Sequence, residues 1–370
     1  MRIERIELRH VRLVLVAPFV TSMGVETDEE HIIVRVDADG VTGWGECVAE
    51  GNPFYSYETT QTAWHILRDF LVPAVLGRDI ACVDEAIALT ARVRGHMMAK
   101  AGLESALWDA FAKAQGVSLS KLLGGVRERI DVGVSIGIQP TPAALLDKVA
   151  GYLDEGYRRI KIKIAPGSDI AYVKAVRGEY PNIPFQVDAN SAYELHHVDV
   201  FRAMDGDNLL LIEQPLSHDD IYDHSKLQRE LKTAICLDES IHSLADARAA
   251  LELGSCRVIN IKPGRVGGYT ESRRIHDLCA SLQVPVWHGG MLESGIGRAG
   301  NVALASLPNF TLPGDISASK RYYKEDIVDP AFEVAPDGTM AVPTGPGIGV
   351  EVLADRLERV TVRREEFVIS

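Results

Sequence analysis

Short apolar runs, each closed by a charged residue, recur along the middle of the chain. Every run holds a few aliphatic or β-branched residues and reaches a lysine or an acid just before a turn or a helix start. Five of them are RRIKIKI (158–164), PFQVDAN (184–190), LLLIEQP (209–215), AICLDES (234–240) and VINIKPG (258–264). The acids Asp188, Glu213 and Asp238 follow one another at intervals of 25 residues. One strand and one helix in each interval would explain this spacing, with one polar side chain at each strand end.

Three further segments extend the same rhythm in both directions. They are IDVGVSIG (130–137), VPVWHGG (284–290) and NFTLPGD (309–315). Eight strand–helix units over residues 126–316 predict an α/β fold of the (β/α)₈ TIM-barrel type. A doubly wound open sheet is the competing architecture, but it usually has fewer strands and does not place polar side chains at so many successive strand ends.

The residues before and after this region follow different patterns. Alternating polar and apolar residues predict strands over roughly the first 50 positions, with Asp39-Gly40 as a hairpin turn. Helical spacing then covers residues 58–125, so that residues 1–125 are expected to form a small α+β domain. Residues 317–370 close with the alternating run VTVRREEFVI and are expected to pack back onto that first domain.

Composition excludes some partners and compartments. The 370 residues include 39 basic and 52 acidic ones, and the net charge of −13 argues against nucleic acid or an anionic membrane surface as a partner. The five cysteines form no CxxC pair, and we expect them to be reduced and structural. The chain shows neither a signal-peptide pattern nor an apolar run of about 18 residues, so a cytoplasmic location is expected.

Carboxylates at three neighbouring strand ends indicate a metal site. Reactive side chains of barrel enzymes lie at the C-terminal strand ends, and Asp188, Glu213 and Asp238 hold that position on three consecutive predicted strands. Converging carboxylates repel one another unless a cation neutralises them. Oxygen ligands suit Mg²⁺, which keeps positions open for substrate oxygens. Any one of these acids alone could instead cap a helix or form a salt bridge, but the shared spacing favours the metal site.

Lysines flank the acids on both sides. Lys161 and Lys163 lie two apart in one predicted strand and face the same way, so burial and like charge should lower the pKa of one of them and make it a general base. Lys262 is expected on the opposite side of the cavity. The alternative for each lysine is a strand end that reaches solvent. A metal that binds a substrate carboxylate, with a base on each face of the adjacent carbon, predicts removal and return of the α-proton.

The motifs together resemble those of a known family. They are KIKI (161–164), VDAN (187–190), IEQP (212–215), LDES (237–240) and NIKPGRVGG (260–268). These motifs are similar to those of the enolase superfamily, and within it to the muconate-lactonising subgroup. The resemblance runs along essentially the whole chain and is strongest to the o-succinylbenzoate synthase/N-acylamino acid racemase branch.

The resemblance implies a reaction and roles for the residues. It implies Mg²⁺ on the three acids, with Mn²⁺ or another divalent ion able to substitute, and Lys163 and Lys262 as the acid–base pair. Lys161 would tune Lys163, and Arg265 stands where racemase-competent members carry an arginine. The implied substrate is a small carboxylate, converted through a metal-stabilised enediolate. Racemisation of N-acyl, especially N-succinyl, amino acids is the first expectation, and syn-dehydration to o-succinylbenzoate is the alternative, possible in the same enzyme.

The resemblance also implies a lid and a substrate pocket. The first domain would cap the barrel, with residues 18–24 and the segment near Tyr55 over the substrate. Relatives of this branch form dimers or octamers, so a homo-oligomer is expected. The residues implied to contact substrate are Phe19, Met23, Tyr55, Ser135, Asn190, Gly290, Met291, Leu292 and Tyr322.

Other enzyme classes fit the sequence less well. Residues 295–300 match GxGxxG, but they come late in the chain, without the acid that a dinucleotide site has about 20 positions later. We expect these glycines to allow close approach to substrate or to a phosphate-sized group. Residues 314–317 read GDIS and depart from the Asp-x-Asp of dipeptide epimerases. A Schiff-base aldolase needs one buried lysine and no set of three acids. His288 fits a packing role as well as a catalytic one.

Overall fold

The N-terminal part of the chain is an antiparallel sheet covered by helices. The computed structural model describes residues 1–369. The first three strands are β1 (Ile3–Thr21), β2 (Gly24–Ala38) and β3 (Val41–Cys47). The helices that follow are α1 (Thr60–Ile66), α2 (Val72–Val75), α3 (Val83–Thr90), α4 (Met97–Ala114) and α5 (Leu119–Leu123), with a π-helical turn at Leu67–Leu71.

Two local sequence features explain how this part folds. Asp39 and Gly40 have φ angles of 46° and 79°, which is the left-handed backbone of a tight hairpin turn, and the predicted hairpin is confirmed by the pairing of β2 with β3. β3 then lies directly on α4. A Cβ at Gly43 would stand 2.1 Å from the Ala106 carbonyl oxygen, so only glycine lets strand and helix approach this closely.

The middle of the chain forms the barrel. After the short strand β4 (Arg129–Asp131) come seven parallel strands: β5 (Gly133–Ile136), β6 (Arg159–Lys163), β7 (Phe185–Asp188), β8 (Ile212–Glu213), β9 (Ile235–Leu237), β10 (Val258–Ile261) and β11 (Val286–His288). Their helices are α6 (Pro142–Asp154), α7 (Ile170–Glu179), α8 (Val198–Met204), α9 (Tyr222–Glu230), α10 (Leu244–Leu253), α11 (Pro263–Val266), α12 (Tyr269–Ser281) and α13 (Gly295–Ala305), with a 3₁₀ turn at Leu195–His197. The strands lie in the sheet in chain order, which confirms the barrel type, because a doubly wound sheet reverses its order at a switch point.

The eighth strand differs from its prediction. Residues 309–315 form single bridges instead of a regular strand: Phe310 pairs with Val286 of β11, and Gly314 pairs with Val132 just before β5. Pro313 has no N–H to donate, which interrupts a regular ladder in this segment. The segment still lies between the first and last barrel strands and joins them.

The C-terminal residues return to the N-terminal sheet. They form a 3₁₀ turn at Ser319–Arg321, then β12 (Val328–Asp329), β13 (Thr339–Ala341), β14 (Glu351–Val352), α14 (Ala354–Val360) and β15 (Thr361–Val368). β15 pairs antiparallel with β1, so the tail completes the capping sheet as expected. The exact boundaries of the three segments, 1–125, 126–316 and 317–370, stay predictions. Within residues 1–369, no helix combines the length and apolar character needed to cross a membrane.

One buried carboxylate joins three parts of this fold. Asp109 of α4 is fully buried and accepts hydrogen bonds from the Trp44 amide of β3 at 2.8 Å and from the Ile348 amide of the tail at 2.7 Å. Lys113 pairs with it at 2.7 Å. Removing the carboxylate leaves two amides and one ammonium group without their partner.

We therefore expect Asp109→Ala to lower the free energy of unfolding by about 2–4 kcal/mol. Urea denaturation followed by circular dichroism measures this change. Asp84→Ala is the matched control, because Asp84 is exposed and lies 3.5 Å from Arg274, and it should cost less than about 0.5 kcal/mol. Equal effects of the two substitutions would contradict a structural role for Asp109.

Candidate active site

The three predicted acids lie at one rim of the barrel. Asp188 ends β7, Glu213 ends β8 and Asp238 directly follows β9. Asp188 and Glu213 are register partners, since parallel strands bring their C-terminal ends to the same edge. All three side chains are buried, with at most 1% of each residue exposed. The regular spacing in the sequence thus corresponds to one acid on each of three neighbouring strands.

Lys161 and Lys163 stand on β6, beside the first acid. The Lys161 ammonium donates to Asp188 Oδ2 at 3.0 Å and to Glu213 Oε2 at 2.8 Å. The Lys163 ammonium donates to the same Asp188 oxygen at 2.7 Å and to Asn190 Oδ1 at 2.6 Å. Both side chains point to the rim, as the two-residue spacing in a strand predicts.

Lys262 and Arg265 stand at the other end of the row of acids. The Lys262 ammonium donates to Asp238 Oδ2 at 2.8 Å and to the Tyr55 hydroxyl at 3.0 Å, and that hydroxyl donates to Asp238 Oδ1. Arg265 of α11 pairs with Asp238 Oδ1 and donates from Nε to the Ile241 carbonyl at 2.6 Å. Tyr55 comes from the N-terminal part of the chain, so that part contributes directly to the rim.

Charge pairing sets the protonation of the acids. Burial alone would raise the pKa of Asp238, but the charges of Lys262 and Arg265 outweigh it and lower that pKa to about 2. The same balance, with Lys163 and Lys161 as the cations, lowers the pKa of Asp188. Burial and the charge of Asp188 instead raise the pKa of Glu213 well above its usual value. The central acid therefore has the greatest need for additional positive charge.

The expected lowering of a lysine pKa does not occur at Lys161. Burial acts in that direction, but the charges of Asp315, Glu213 and Asp188 outweigh it, and the pKa of Lys161 is raised well above its usual value. The expectation from burial and like charge did not include these carboxylates, which come from other segments of the chain.

Asp315 is a site residue that sequence reasoning missed. It is the last residue of the eighth barrel segment and pairs with Lys161 at 2.6 Å and with Arg159 at 2.6 Å. The signal was available, because Asp315 ends the eighth segment, as the other acids come at or just after their strand ends.

A cavity of about 690 Å³, including space open to solvent, lies over the rim. The lysines Lys161, Lys163 and Lys262 line it together with Asp315, whereas Asp188, Glu213 and Asp238 are not part of the lining. All nine residues expected to contact substrate also line it: Phe19, Met23, Tyr55, Ser135, Asn190, Gly290, Met291, Leu292 and Tyr322. Thr21 and Phe54, which belong to the predicted lid segments, also line it, and the lining residues that the sequence did not indicate are Glu26, Glu29 and Glu50.

The donor atoms at the rim fit a divalent cation. Among residues 1–369 no three His, Cys, Asp or Glu side chains are arranged to enclose an ion, since ammonium groups lie between the carboxylates. The donors are oxygens, as Mg²⁺ prefers, and one buried carboxylate oxygen nearby, Glu239 Oε2, has no hydrogen-bond partner. The raised pKa of Glu213 has the charges of Asp188 and Asp238 among its causes, so the three carboxylates lie close enough to repel one another.

The glycines at 295–300 serve packing within the protein. A Cβ at Gly297 would lie 2.8 Å from Glu46 Oε2, and one at Gly300 would lie 1.7 Å from the Tyr269 hydroxyl. Neighbouring side chains of the protein fill the space beside these glycines. The expectation that substrate or a phosphate-sized group approaches them is therefore wrong. They allow α13 to begin against Glu46, which accepts from the Ser294 hydroxyl at 2.6 Å.

The fold and rim together define a class of enzyme. Its members have a barrel with an N-terminal cap, and acids and lysines at the C-terminal ends of the barrel strands. Residues 144–356 match the family described as enolase C-terminal domain-like. Residues 5–124 match the mandelate racemase/muconate lactonizing enzyme N-terminal domain. The chain belongs to the mandelate racemase/muconate lactonizing enzyme family of the enolase superfamily.

Individual relatives are similar over nearly their whole length. The chain is 53% identical to an o-succinylbenzoate synthase of Geobacillus stearothermophilus, covering 97% of this chain and 96% of that one. It is 49% identical to an N-succinylamino acid racemase of Amycolatopsis sp., covering 98% of each. A solved enolase-superfamily structure from Listeria innocua, 44% identical, superposes with a TM-score of 0.96 over 100% of both chains.

His288 lies inside the barrel and outside the cavity lining. It is fully buried, neither ring nitrogen has a hydrogen-bond partner, and burial lowers its pKa from 6.5 to about 3. The unfolded chain therefore binds a proton between these pH values that the folded chain does not bind. Folding stability attributable to this residue is present above pH 6.5 and falls as the pH drops toward 3.

We expect His288→Leu to reduce the acid sensitivity of the protein. Between pH 7 and pH 5 its free energy of unfolding should fall by about 2 kcal/mol less than that of the wild type. Urea denaturation at the two pH values measures this difference. The exposed His218→Leu should follow the wild type, and an identical pH response of all three proteins would show that His288 is not held neutral.

Proposed function

We propose that the protein moves the proton α to the carboxylate of an N-acyl, especially N-succinyl, amino acid from one face of the carbon to the other. The observation that carries this proposal is the position of two lysines in one cavity. Lys163 comes from β6 and Lys262 directly follows β10, with three acid-bearing strands between them in the sheet. A carbon held over the middle strands has one ammonium or amine group on each side, which racemisation requires.

Asp188, Glu213 and Asp238 would hold Mg²⁺, or Mn²⁺ in its place. When bound, this ion supplies positive charge at the substrate carboxylate, which stabilises the enediolate that α-proton loss produces. The ammonium groups of Lys163 and Lys262 now pair with the outer two acids at 2.7 and 2.8 Å. If a bound cation neutralised those acids, either lysine would be able to lose its proton and act as a base.

The two lysines then have complementary roles. Unprotonated Lys163 takes the α-proton from one enantiomer, and protonated Lys262 delivers a proton to the opposite face. The reverse reaction exchanges the roles. Lys161 neutralises Asp188 and Glu213 by pairing with both. Arg265 pairs with Asp238 and is itself held by its hydrogen bond to the Ile241 carbonyl. These two cations keep the rim acids in place without taking part in proton transfer.

A second function uses the same site. The relative at 53% identity is an o-succinylbenzoate synthase, and that name supports syn-dehydration of a cyclohexadiene carboxylate as an additional or alternative activity. In that reaction Lys163 removes the α-proton, while Lys262 remains a cation beside the anion that forms. Both substrates share a carboxylate next to the reacting carbon and a succinyl arm.

The test of the racemase is N-succinyl-L-phenylalanine in D₂O with Mg²⁺. We expect loss of optical rotation and deuterium at the α-carbon by NMR, because the lysine ammonium groups exchange with solvent. Removing Mg²⁺ with EDTA should abolish both changes, and adding Mg²⁺ back should restore them. Optical rotation and α-protium that both persist with Mg²⁺ present would refute racemisation.

Lys163→Ala and Lys262→Ala should each lower the racemisation rate by about 10²–10⁴-fold, since a two-base reaction needs both groups. Chiral chromatography of the product measures this loss. Lys174→Ala is the matched control, because that half-exposed lysine pairs with Asp207 away from the cavity, and it should keep the wild-type rate. Near-normal turnover in either cavity variant would overturn the assignment of the two bases.

A further inference from the structure

The two sides of the cavity differ in charge. The wall from the N-terminal part carries Glu26, Glu29 and Glu50, and Glu29 is only 3% exposed. Burial and the charge of Glu26 raise the pKa of Glu50 to about 7. Negative charge is therefore unfavourable at this wall. A second carboxylate on the substrate would be repelled there and needs a cation elsewhere.

Arg321 is a cation close to other residues that line the cavity. The residue ends the 3₁₀ turn after the barrel, and its Nη2 donates a hydrogen bond to the Ser135 carbonyl at 3.3 Å. The guanidinium stands 5.8 Å from the ring centre of Phe19 and 5.2 Å from that of Tyr322. Ser135, Phe19 and Tyr322 all line the cavity. Three lining residues therefore stand next to this guanidinium, with the ring centre of Tyr152 at 5.1 Å, although Arg321 itself is not part of the cavity lining.

The bonding capacity of Arg321 is mostly unused. Its Nε is buried without a hydrogen-bond partner, and within residues 1–369 it forms no ion pair with a carboxylate. The other buried arginines at this site differ, since Arg159 pairs with Asp315 and Arg265 pairs with Asp238. A guanidinium fork matches a carboxylate with two parallel hydrogen bonds, and this one has donors free for such a partner.

The distance from the reacting groups suits a succinyl arm. Both cations stand near Phe19, with Lys163 Nζ 5.9 Å and the Arg321 guanidinium 5.8 Å from its ring centre. From the α-carbon of an N-succinyl amino acid, one trans amide and two further bonds bring the terminal carboxylate to about 6 Å. An α-carbon beside Lys163 thus allows the arm to run along Phe19 toward Arg321.

We propose that Arg321 binds the terminal carboxylate of the acyl arm and makes the enzyme selective for N-acyl groups derived from dicarboxylic acids. This inference rests on the proposed proton-transfer function and names the residue that selects its substrate. The arm of the dehydration substrate carries the same terminal carboxylate, so Arg321 serves both reactions.

The test compares two substrates that differ in one group. N-succinyl-L-phenylalanine ends in a carboxylate, and N-succinamoyl-L-phenylalanine ends in a carboxamide of nearly the same shape. We expect the wild type to prefer the first by about 10- to 100-fold in kcat/KM, mainly through KM. Arg321→Gln should reduce this preference to less than about threefold, and Arg321→Lys should keep part of it because the charge remains.

Lys320→Gln is the matched control. Lys320 is the adjacent residue in the same turn, but its side chain is 71% exposed and lies 3.7 Å from Glu155. Loss of this charge should leave the substrate preference as in the wild type. A preference retained by Arg321→Gln, or lost equally in Lys320→Gln, would overturn the assignment.

The wild-type enzyme alone separates this inference from the proposed function. If neither substrate exchanges its α-proton in D₂O, the proposed function fails, and the role of Arg321 fails with it. If both substrates exchange with equal kcat/KM, proton transfer stands and the role of Arg321 is refuted.

Discussion

The site depends on the rule that a buried charge needs a partner. Lys161 is 3% exposed and lies within 3.0 Å of carboxylate oxygens from Asp188, Glu213 and Asp315. None of these groups could remain charged at this depth alone. The strands that carry them must therefore end at the same level of the barrel. A uniform strand-to-strand step in the sequence satisfies that requirement and brings the reactive groups to one rim.

The rim becomes an enclosed site because the N-terminal part of the chain covers it. From that part, the Tyr55 hydroxyl donates a hydrogen bond to Asp238, and Glu46 accepts one from Ser294 at the start of α13. The C-terminal strand β15 then completes the sheet that carries these residues. Sequence-distant segments thus meet in one cavity, to which the barrel contributes three lysines and Asp315 and the N-terminal part contributes three glutamates.

The features that repeat locally were predictable, and those that depend on distant contacts were not. The spacing from Asp188 to Asp238 revealed the strand pitch, and from it the barrel and the row of acids. Arg321 acts through partners far away in the sequence, so no local pattern marks it, whereas the position of Asp315 at the end of the eighth segment did mark it. The raised pKa of Lys161 depends on three carboxylates from other segments. The eighth strand was predicted as regular, but Pro313 interrupts its hydrogen bonding.

The central claim is that two lysines face the same carbon from opposite sides. The most direct measurement is the position of deuterium early in the reaction of N-succinyl-L-phenylalanine in D₂O. Chiral separation followed by mass spectrometry should find deuterium at the α-carbon of the D-product from the first turnovers, while the remaining L-substrate keeps mostly protium. Two separate bases produce this asymmetry, because the proton removed on one face is not the one delivered on the other. A D-product that retains the original protium would show a single shared base and contradict the account.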